Sequence, residues 1–223
     1  MPIRVALKRA ARCAVLPALA SLSVGLLAGC NVVAPVAYAI HGPGNVEPQV
    51  ELDETKSVVI FIDDPSSKIA QRRLRYTMAD VASRKLLEKK VVLDVIDSRT
   101  ILSASSKERH GERLSISELG KGVGADLVIY AVVTNFSISA EEGTFLPVTS
   151  LRVKIIDVAS GERVWPASES GFLVDVRLPQ RPNAAGQDRG RLAIETQLAD
   201  QAGVAIAQLF YKHEITESAI RGR

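Results

Sequence analysis

Two periodicities alternate along this chain, and they divide it into elements. Cys13 to Leu27 is a largely apolar run preceded by Arg4, Lys8, Arg9 and Arg12. Asn31 to about Thr55 has no period and is broken by Pro35, Gly42, Pro43, Gly44 and Pro48, which predicts a tether. Ser57 to Asp63 holds a continuous β-branched and aromatic run, Val58 to Ile62, the composition of a strand buried on both faces. Asp64-Pro65-Ser66-Ser67 ends it and offers helix-capping side chains. Leu74, Met78, Val81, Ala82 and Leu86 then recur at three- and four-residue spacing, predicting a helix from about Ser67 to Lys89. Val91 to Ile96 reads as the next strand. Asp97-Ser98-Arg99 leads into a helix-compatible segment through Glu112. Ser115 and Glu118 are spaced as a capping box for a short helix to Lys121, which Gly122 and Gly124 stop.

The second half is richer in strands. Asp126 to Ser137, almost wholly apolar from Leu127 to Val133, predicts the central strand. Ala140 to Pro147 reads as a turn or loop. Ser150 to Val158 alternates, with Leu151, Val153 and Ile155 on one face. Ala159-Ser160-Gly161 turns the chain so that Glu162 to Trp165 pairs back as a hairpin. Gly171 to Arg177 is the last strand, and the Pro- and Gly-rich stretch from Leu178 to Gly190 is a loop. Ile194, Leu198, Ala202, Ala205 and Leu209 stripe a closing helix from Arg191 to Lys212. The tail from His213 is expected to fray. This order predicts an α/β fold: a mixed sheet of about five strands with helices packed on its faces.

The N-terminal pattern adds an address. A basic start, an apolar run and small residues form a secretory signal, which is removed and is not a transmembrane helix. Leu27-Ala28-Gly29-Cys30 resembles the lipobox of bacterial lipoproteins. That resemblance implies diacylglycerol on the Cys30 sulfur, cleavage after Gly29 and acylation of the new amino terminus. Each buried acyl CH₂ contributes about 0.8 kcal/mol, so two or three chains hold a protein durably where one does not. The alternatives are an ordinary secretory signal with a chance cysteine, or an uncleaved anchor helix. Asn31, not an aspartate, follows the lipidated position. By resemblance to the sorting rule of enteric lipoproteins, this implies the periplasmic face of the outer membrane.

Cleavage changes the charge and cysteine content. The signal holds four of the 28 basic residues and none of the 25 acidic ones, so the remaining 194 residues carry 24 against 25, or −1. That balance does not suggest a nucleic-acid partner. Cys13 leaves with the signal, and Cys30 alone remains, so no disulfide forms within the mature chain. After Cys30 no apolar run approaches the roughly 20 residues that span a bilayer.

Two stretches carry a second resemblance. Gly124-Ala125-Asp126-Leu127-Val128-Ile129 is similar to the helix-to-strand joint of the CsgG/LpoB-like envelope lipoproteins and of the TolB N-terminal domain. Ile155-Ile156-Asp157-Val158-Ala159-Ser160-Gly161-Glu162-Arg163-Val164-Trp165 is similar to their hairpin. The resemblance implies a lipid-anchored envelope protein that assembles or regulates a secretion or cell-wall machine without catalysis. Pore-forming relatives insert long alternating hairpins. Here Ser137 to Ser150 contains Glu141-Glu142-Gly143 and Pro147, too little for two membrane strands of about 9–11 residues.

Candidate chemistry is sparse. His41, His110 and His213 lack paired spacing, so no metal is expected. No Gly-x-Ser-x-Gly elbow is present. Asp63-Asp64 after a strand suggests either a phosphoryl-transfer aspartate or, as we read it, strand-end turn chemistry. Gly120-Lys121-Gly122-Val123-Gly124 lies at a helix end and reads as a C-cap rather than a phosphate cradle. Trp165 reads as cover for a sheet edge. The first long helix carries Lys68, Arg72, Arg73, Arg75, Arg84, Lys85 and Lys89 against Asp80 and Glu88. This is either a solvated face or a contact patch at Arg72, Arg75 and Arg84 for an acidic envelope partner, such as lipid head groups or an anionic polymer.

The sequence therefore predicts a signal over 1–29, a lipidated N-terminus and tether over 30–55, one α/β domain over 56–212 and a frayed tail over 213–223. It predicts no cofactor and no enzymatic activity, membrane attachment through Cys30, and an envelope partner or a second copy of the chain. The alternatives are an envelope hydrolase, or a subunit of an oligomeric ring without its own barrel.

Overall fold

The structure is a computed structural model and describes residues 44–107, 114–141, 144–179, 181–182 and 188–215. The signal, Cys30 and most of the expected tether lie outside these residues. The strands are β1 (Asn45–Val46), β2 (Val58–Asp63), β3 (Val95–Ile96), β4 (Leu127–Glu141), β5 (Thr144–Asp157), β6 (Arg163–Trp165), β7 (Phe172–Arg177), β8 (Arg181–Pro182) and β9 (His213–Glu214). The helices are α1 (Arg72–Glu88), α2 (Ser98–Lys107), α3 (Ile116–Val123) and α4 (Asp188–Ala207). No described helix is long and apolar enough to cross a membrane.

The main sheet runs β3-β2-β4-β5, with β2 parallel to both neighbours and β5 antiparallel to β4. Along the far edge of β5 lie β6, β7 and β8 in turn, so the sheet is mixed and five strands wide, as the pattern predicts. Helices cover both faces, which is why β2 reads as an unbroken apolar run. Val58, Ile60 and Ile62 share one core with Ile129, Val153, Met78 and Leu198, beneath α1 and α4. Val59, Phe61 and Val128 point the other way, against Ile101 and Leu102 of α2 and Leu119 of α3. The predicted stripes of α1 and of the closing helix are all buried.

Local chemistry places the joints. Ser115 accepts from the Glu118 amide while the Glu118 carboxylate takes the Ser115 amide at 2.7 Å, completing the expected capping box. Gly124, at φ 77°, ends α3 in the left-handed region that only glycine enters cheaply. At Gly203, α4 crosses α1 so closely that a Cβ would stand 2.5 Å from the Met78 carbonyl oxygen.

Several expectations are corrected. The first long helix begins at Arg72, not near Ser67. The Asp64 carboxylate accepts the amides of Lys68 and Ile69, both at 2.8 Å, and Ser67 sits at φ 51°, so the chain makes a separate turn that buries Ile69. Of Val91 to Ile96 only Val95–Ile96 pairs, because Lys90 adopts φ 54° and Leu93 swings out to 70 % exposure. In the expected loop at Ala140 to Pro147, the described residues 140–141 and 144–147 are strand: β4 and β5 stay paired from Leu127↔Asp157 to Glu141↔Thr144, with one irregularity at Thr134. Part of the later loop also pairs, Arg181–Pro182 adding to the first residues of β5, Thr144 and Phe145. The closing helix starts earlier and ends at Ala207, before Leu209 and Phe210 pack into the core.

The domain edges move too. Asn45–Val46 pairs antiparallel with His213–Glu214, and the Gln49 amide donates to the Leu209 carbonyl at 2.7 Å. The last part of the expected tether and the first residues of the expected frayed tail therefore hold each other against the domain. Val50 and Leu52 pack on the main core, and His213 is buried. Apolar side chains spaced through a proline-broken segment carry no periodicity, and only the partner strand reveals their role.

Candidate functional site

Strand β2 is parallel to β3 over its first two residues and to β4 along its whole length, and it ends at Asp63. The chain leaves it for β3 through α1, and returns to its other side as β4 by way of α2 and α3. In α/β sheets such a reversal of strand order leaves a crevice outside the strand carboxyl ends. Here the crevice has a volume of about 620 Å³, and its walls include Phe61, Asp63, Arg72, Arg75, Leu119 and Tyr130.

Its charged groups are unequally engaged. The Tyr130 hydroxyl donates to Asp63 Oδ2 at 2.8 Å, with its ring 5.6 Å from that of Phe61. Arg75 Nε donates to the Ile62 carbonyl at 2.8 Å, and Nη2 stands 3.9 Å from Asp63 Oδ1. Burial pushes the Arg75 guanidinium below its ordinary value, while Asp63 and Asp64 oppose that shift. Both oxygens of Asp64 are occupied by the turn amides. Arg72 is exposed at the start of α1 and takes part in none of the ion pairs among the described residues.

The helix start adds to the positive field. Gln71, its N-cap residue, gives the helix no side-chain bond. Its amide group donates to Glu195 of α4 at 3.1 Å and its oxygen accepts from Arg73 at 2.8 Å. No acid lies in the first turn, so Arg72 and Arg73 stand at the positive end of the helix dipole.

The three arginines expected as one patch therefore separate. Arg72 and Arg75 converge on the crevice. Arg84 lies about 18 Å from Arg72 along α1 by helix rise. It is exposed beside a hollow of about 250 Å³, where Asp80 meets Arg99 at 3.5 Å. Arg75 is not a free surface residue, since its side chain is only 17 % exposed and ties α1 to the end of β2. Asp63 and Asp64 do perform strand-end chemistry, and Asp63 is also the centre of a Tyr130–Asp63–Arg75 cluster. Tyr130 escaped sequence reading because it sits inside the apolar run of β4. The strand alternation separating it from Ile129 and Ala131 was the available signal. Cys30, His41 and His110 lie outside the described residues. Among those described, no three His, Cys, Asp or Glu side chains gather as metal ligands would.

The two sequence motifs prove to be joints. Ser57 and Asp126 bind each other where β2 and β4 begin. Asp157 accepts the Ser160 amide at 2.9 Å and the Lys56 ammonium at 2.9 Å, holding the turn between β5 and β6. Bonding to Ser160 first, then to Lys56, keeps the Asp157 carboxyl down to about 2. Trp165 packs against Phe172 across the sheet edge, ring centres 5.1 Å apart.

No family model matches the chain, and no curated relative matches it. Among solved structures it is similar to the PelC dodecamer from Paraburkholderia phytofirmans, at 13 % identity over 80 % of this chain and 97 % of that one, with TM-score 0.40. It is similar to lipoprotein GNA1162 from Neisseria meningitidis, at 14 % identity over 65 % of this chain and 99 % of that one, with TM-score 0.39. Protein XCC0632 from Xanthomonas campestris is a third, at 13 % identity over 74 % and 87 % of the two chains, with TM-score 0.43.

Proposed function

We propose that this chain is a lipid-anchored protein of the bacterial envelope, held at the periplasmic face of the outer membrane through Cys30. In this reading it acts by interaction, as an assembly or regulatory factor of a secretion or cell-wall machine in the manner of the CsgG/LpoB-like group. The observation that carries the reading is Leu27-Ala28-Gly29-Cys30 at the end of a basic and apolar leader, with Cys30 the only cysteine after it. Residues 31–44 then separate the anchor from the first strand. The crevice supports a binding role over a catalytic one, because Asp63 and Asp64 are tied into structural hydrogen bonds.

The test is metabolic labelling with a radioactive fatty acid, followed by cell fractionation, for the natural chain and Cys30→Ser. The natural chain takes up label and sediments with membranes, while Cys30→Ser is unlabelled and accumulates as the longer precursor. Normal processing and membrane retention of Cys30→Ser would overturn the anchor. In-cell crosslinking then separates an interaction factor, which recovers other envelope proteins, from a ring subunit, which recovers copies of itself.

A further inference from the structure

We propose that the crevice at the carboxyl end of β2, beside Tyr130 of β4, binds a phosphate group, gripped by Arg72 and Arg75, with the organic part of the ligand against Phe61 and Leu119. This goes beyond the anchoring and assembly reading and stands or falls without it. The volume of about 620 Å³ lies within the roughly 300–1,000 Å³ of small-molecule sites. A single ion would not need that space, which leaves room for the organic part of a phosphate ester.

The charges select an anion. The carboxylates on the crevice wall are already committed. Asp64 accepts two backbone amides, and Asp63 accepts the Tyr130 hydroxyl on one oxygen and faces Arg75 with the other. Neither can readily coordinate a cation without giving up a structural bond. Arg72 has no such commitment among the described residues, and Arg75, whose Nε donates to the Ile62 carbonyl and whose Nη2 stands 3.9 Å from Asp63, keeps Nη1 uncommitted among them. The two arginines are three residues apart on α1, which places their Cβ atoms about 5–6 Å apart on one helix face. Like charges so close repel, and Arg72 indeed depresses the Arg75 guanidinium further. A bound anion removes that repulsion. The free fork of Arg72 and the remaining Nη1 of Arg75 approach from different directions, which suits the several oxygens of a tetrahedral phosphate better than the two coplanar oxygens of a carboxylate. Ser67, also on the wall, adds a hydroxyl.

Such a phosphate belongs either to a soluble ester or to a phospholipid head group, and titration distinguishes them. The full-length chain, purified from cells in a mild non-ionic detergent, is titrated calorimetrically with glycerol 3-phosphate, short-chain phosphatidylglycerol, inorganic phosphate and acetate. We expect saturable binding of glycerol 3-phosphate at one site per chain, and at least tenfold weaker binding of acetate. Arg72→Gln should weaken phosphate binding at least tenfold with an unchanged melting curve, and Arg84→Gln should leave it unaltered. Tighter binding of phosphatidylglycerol than of glycerol 3-phosphate assigns the site to a lipid head group, and the reverse order assigns it to a soluble ester. The proposal is overturned if no phosphate compound saturates, if acetate binds equally well, or if Arg72→Gln and Arg84→Gln have the same effect. Because the acetate comparison uses the natural chain alone, it decides the matter even if Arg72→Gln fails to fold.

Discussion

Ser57 and Asp126 lie 69 residues apart in sequence and hold each other at the entrance to the parallel pair β2–β4. Asp126 Oδ2 accepts both the amide and the hydroxyl of Ser57 at 2.8 Å, and the Asp126 amide returns a bond to the Ser57 hydroxyl oxygen at 3.1 Å. The next residues are the first register pair, Val58↔Leu127. A parallel pair has no hairpin turn to set its register, and a slip of one residue would send every side chain to the wrong face. This clasp supplies the missing reference point, which explains an aspartate immediately before an apolar strand.

Asp126→Ala should therefore lower the denaturation midpoint, and Asp126→Asn should lower it less because its side-chain oxygen still accepts from Ser57. Chemical denaturation followed by circular dichroism measures both. Equal midpoints for Asp126→Ala and the natural chain would show that the clasp contributes nothing to stability.

Acid should act through the same joints. The Asp157 carboxyl titrates at about 2 in the fold against an ordinary 3.8, so the folded state favours its ionised form. Its contribution is complete above 3.8 and is lost as pH falls toward 2. Asp126 and Glu118, lowered chiefly by hydrogen bonds from Ser57 and Ser115, act in the same direction. Urea midpoints measured from about pH 5 downward should decline, and Asp157→Asn should start lower and decline less steeply.

The crossing of α1 and α4 makes a prediction against helix propensity. Alanine at position 203 would favour the helix by about 1 kcal/mol. Its Cβ would meet the Met78 carbonyl oxygen at 2.5 Å and Val81 Cβ at 2.8 Å. Overpacking of that kind costs about 1–3 kcal/mol, and here backbone must move, so Gly203→Ala should destabilise by about 1–2 kcal/mol in equilibrium unfolding. A more stable variant would mean that the helices can slide apart freely.

The two ends of the basic helix should respond differently. Arg75→Gln removes a charged donor from the Ile62 carbonyl and leaves Asp63 without its cation, which should cost about 1–3 kcal/mol. Arg84→Gln lies on the exposed face and should stay within about 0.5 kcal/mol. Melting curves of the two variants decide it. Equal stability would mean that water replaces the Arg75 bond without loss.

What the sequence determined by itself is whatever depends on local pattern. The unbroken run Val58 to Ile62 required burial on both faces. The stripe from Leu74 to Leu86 fixed the buried side of α1, and Ser115 with Glu118 fixed the start of α3. Period, capping and turn chemistry act over a few residues, so they are written where they act. Tertiary structure alone decided the rest. Pro147 and Glu141 look like loop residues, yet they sit in strands because a hairpin continues wherever its partner offers backbone groups. Asn45–Val46 and His213–Glu214 carry no strand pattern and pair because each meets the other at the domain edge. Arg72, Arg75 and Arg84 belong to one helix, but the fold sends two of them to a crevice and the third to another surface. A residue's spacing along a helix is set by sequence, whereas what stands opposite it depends on segments folded from elsewhere in the chain.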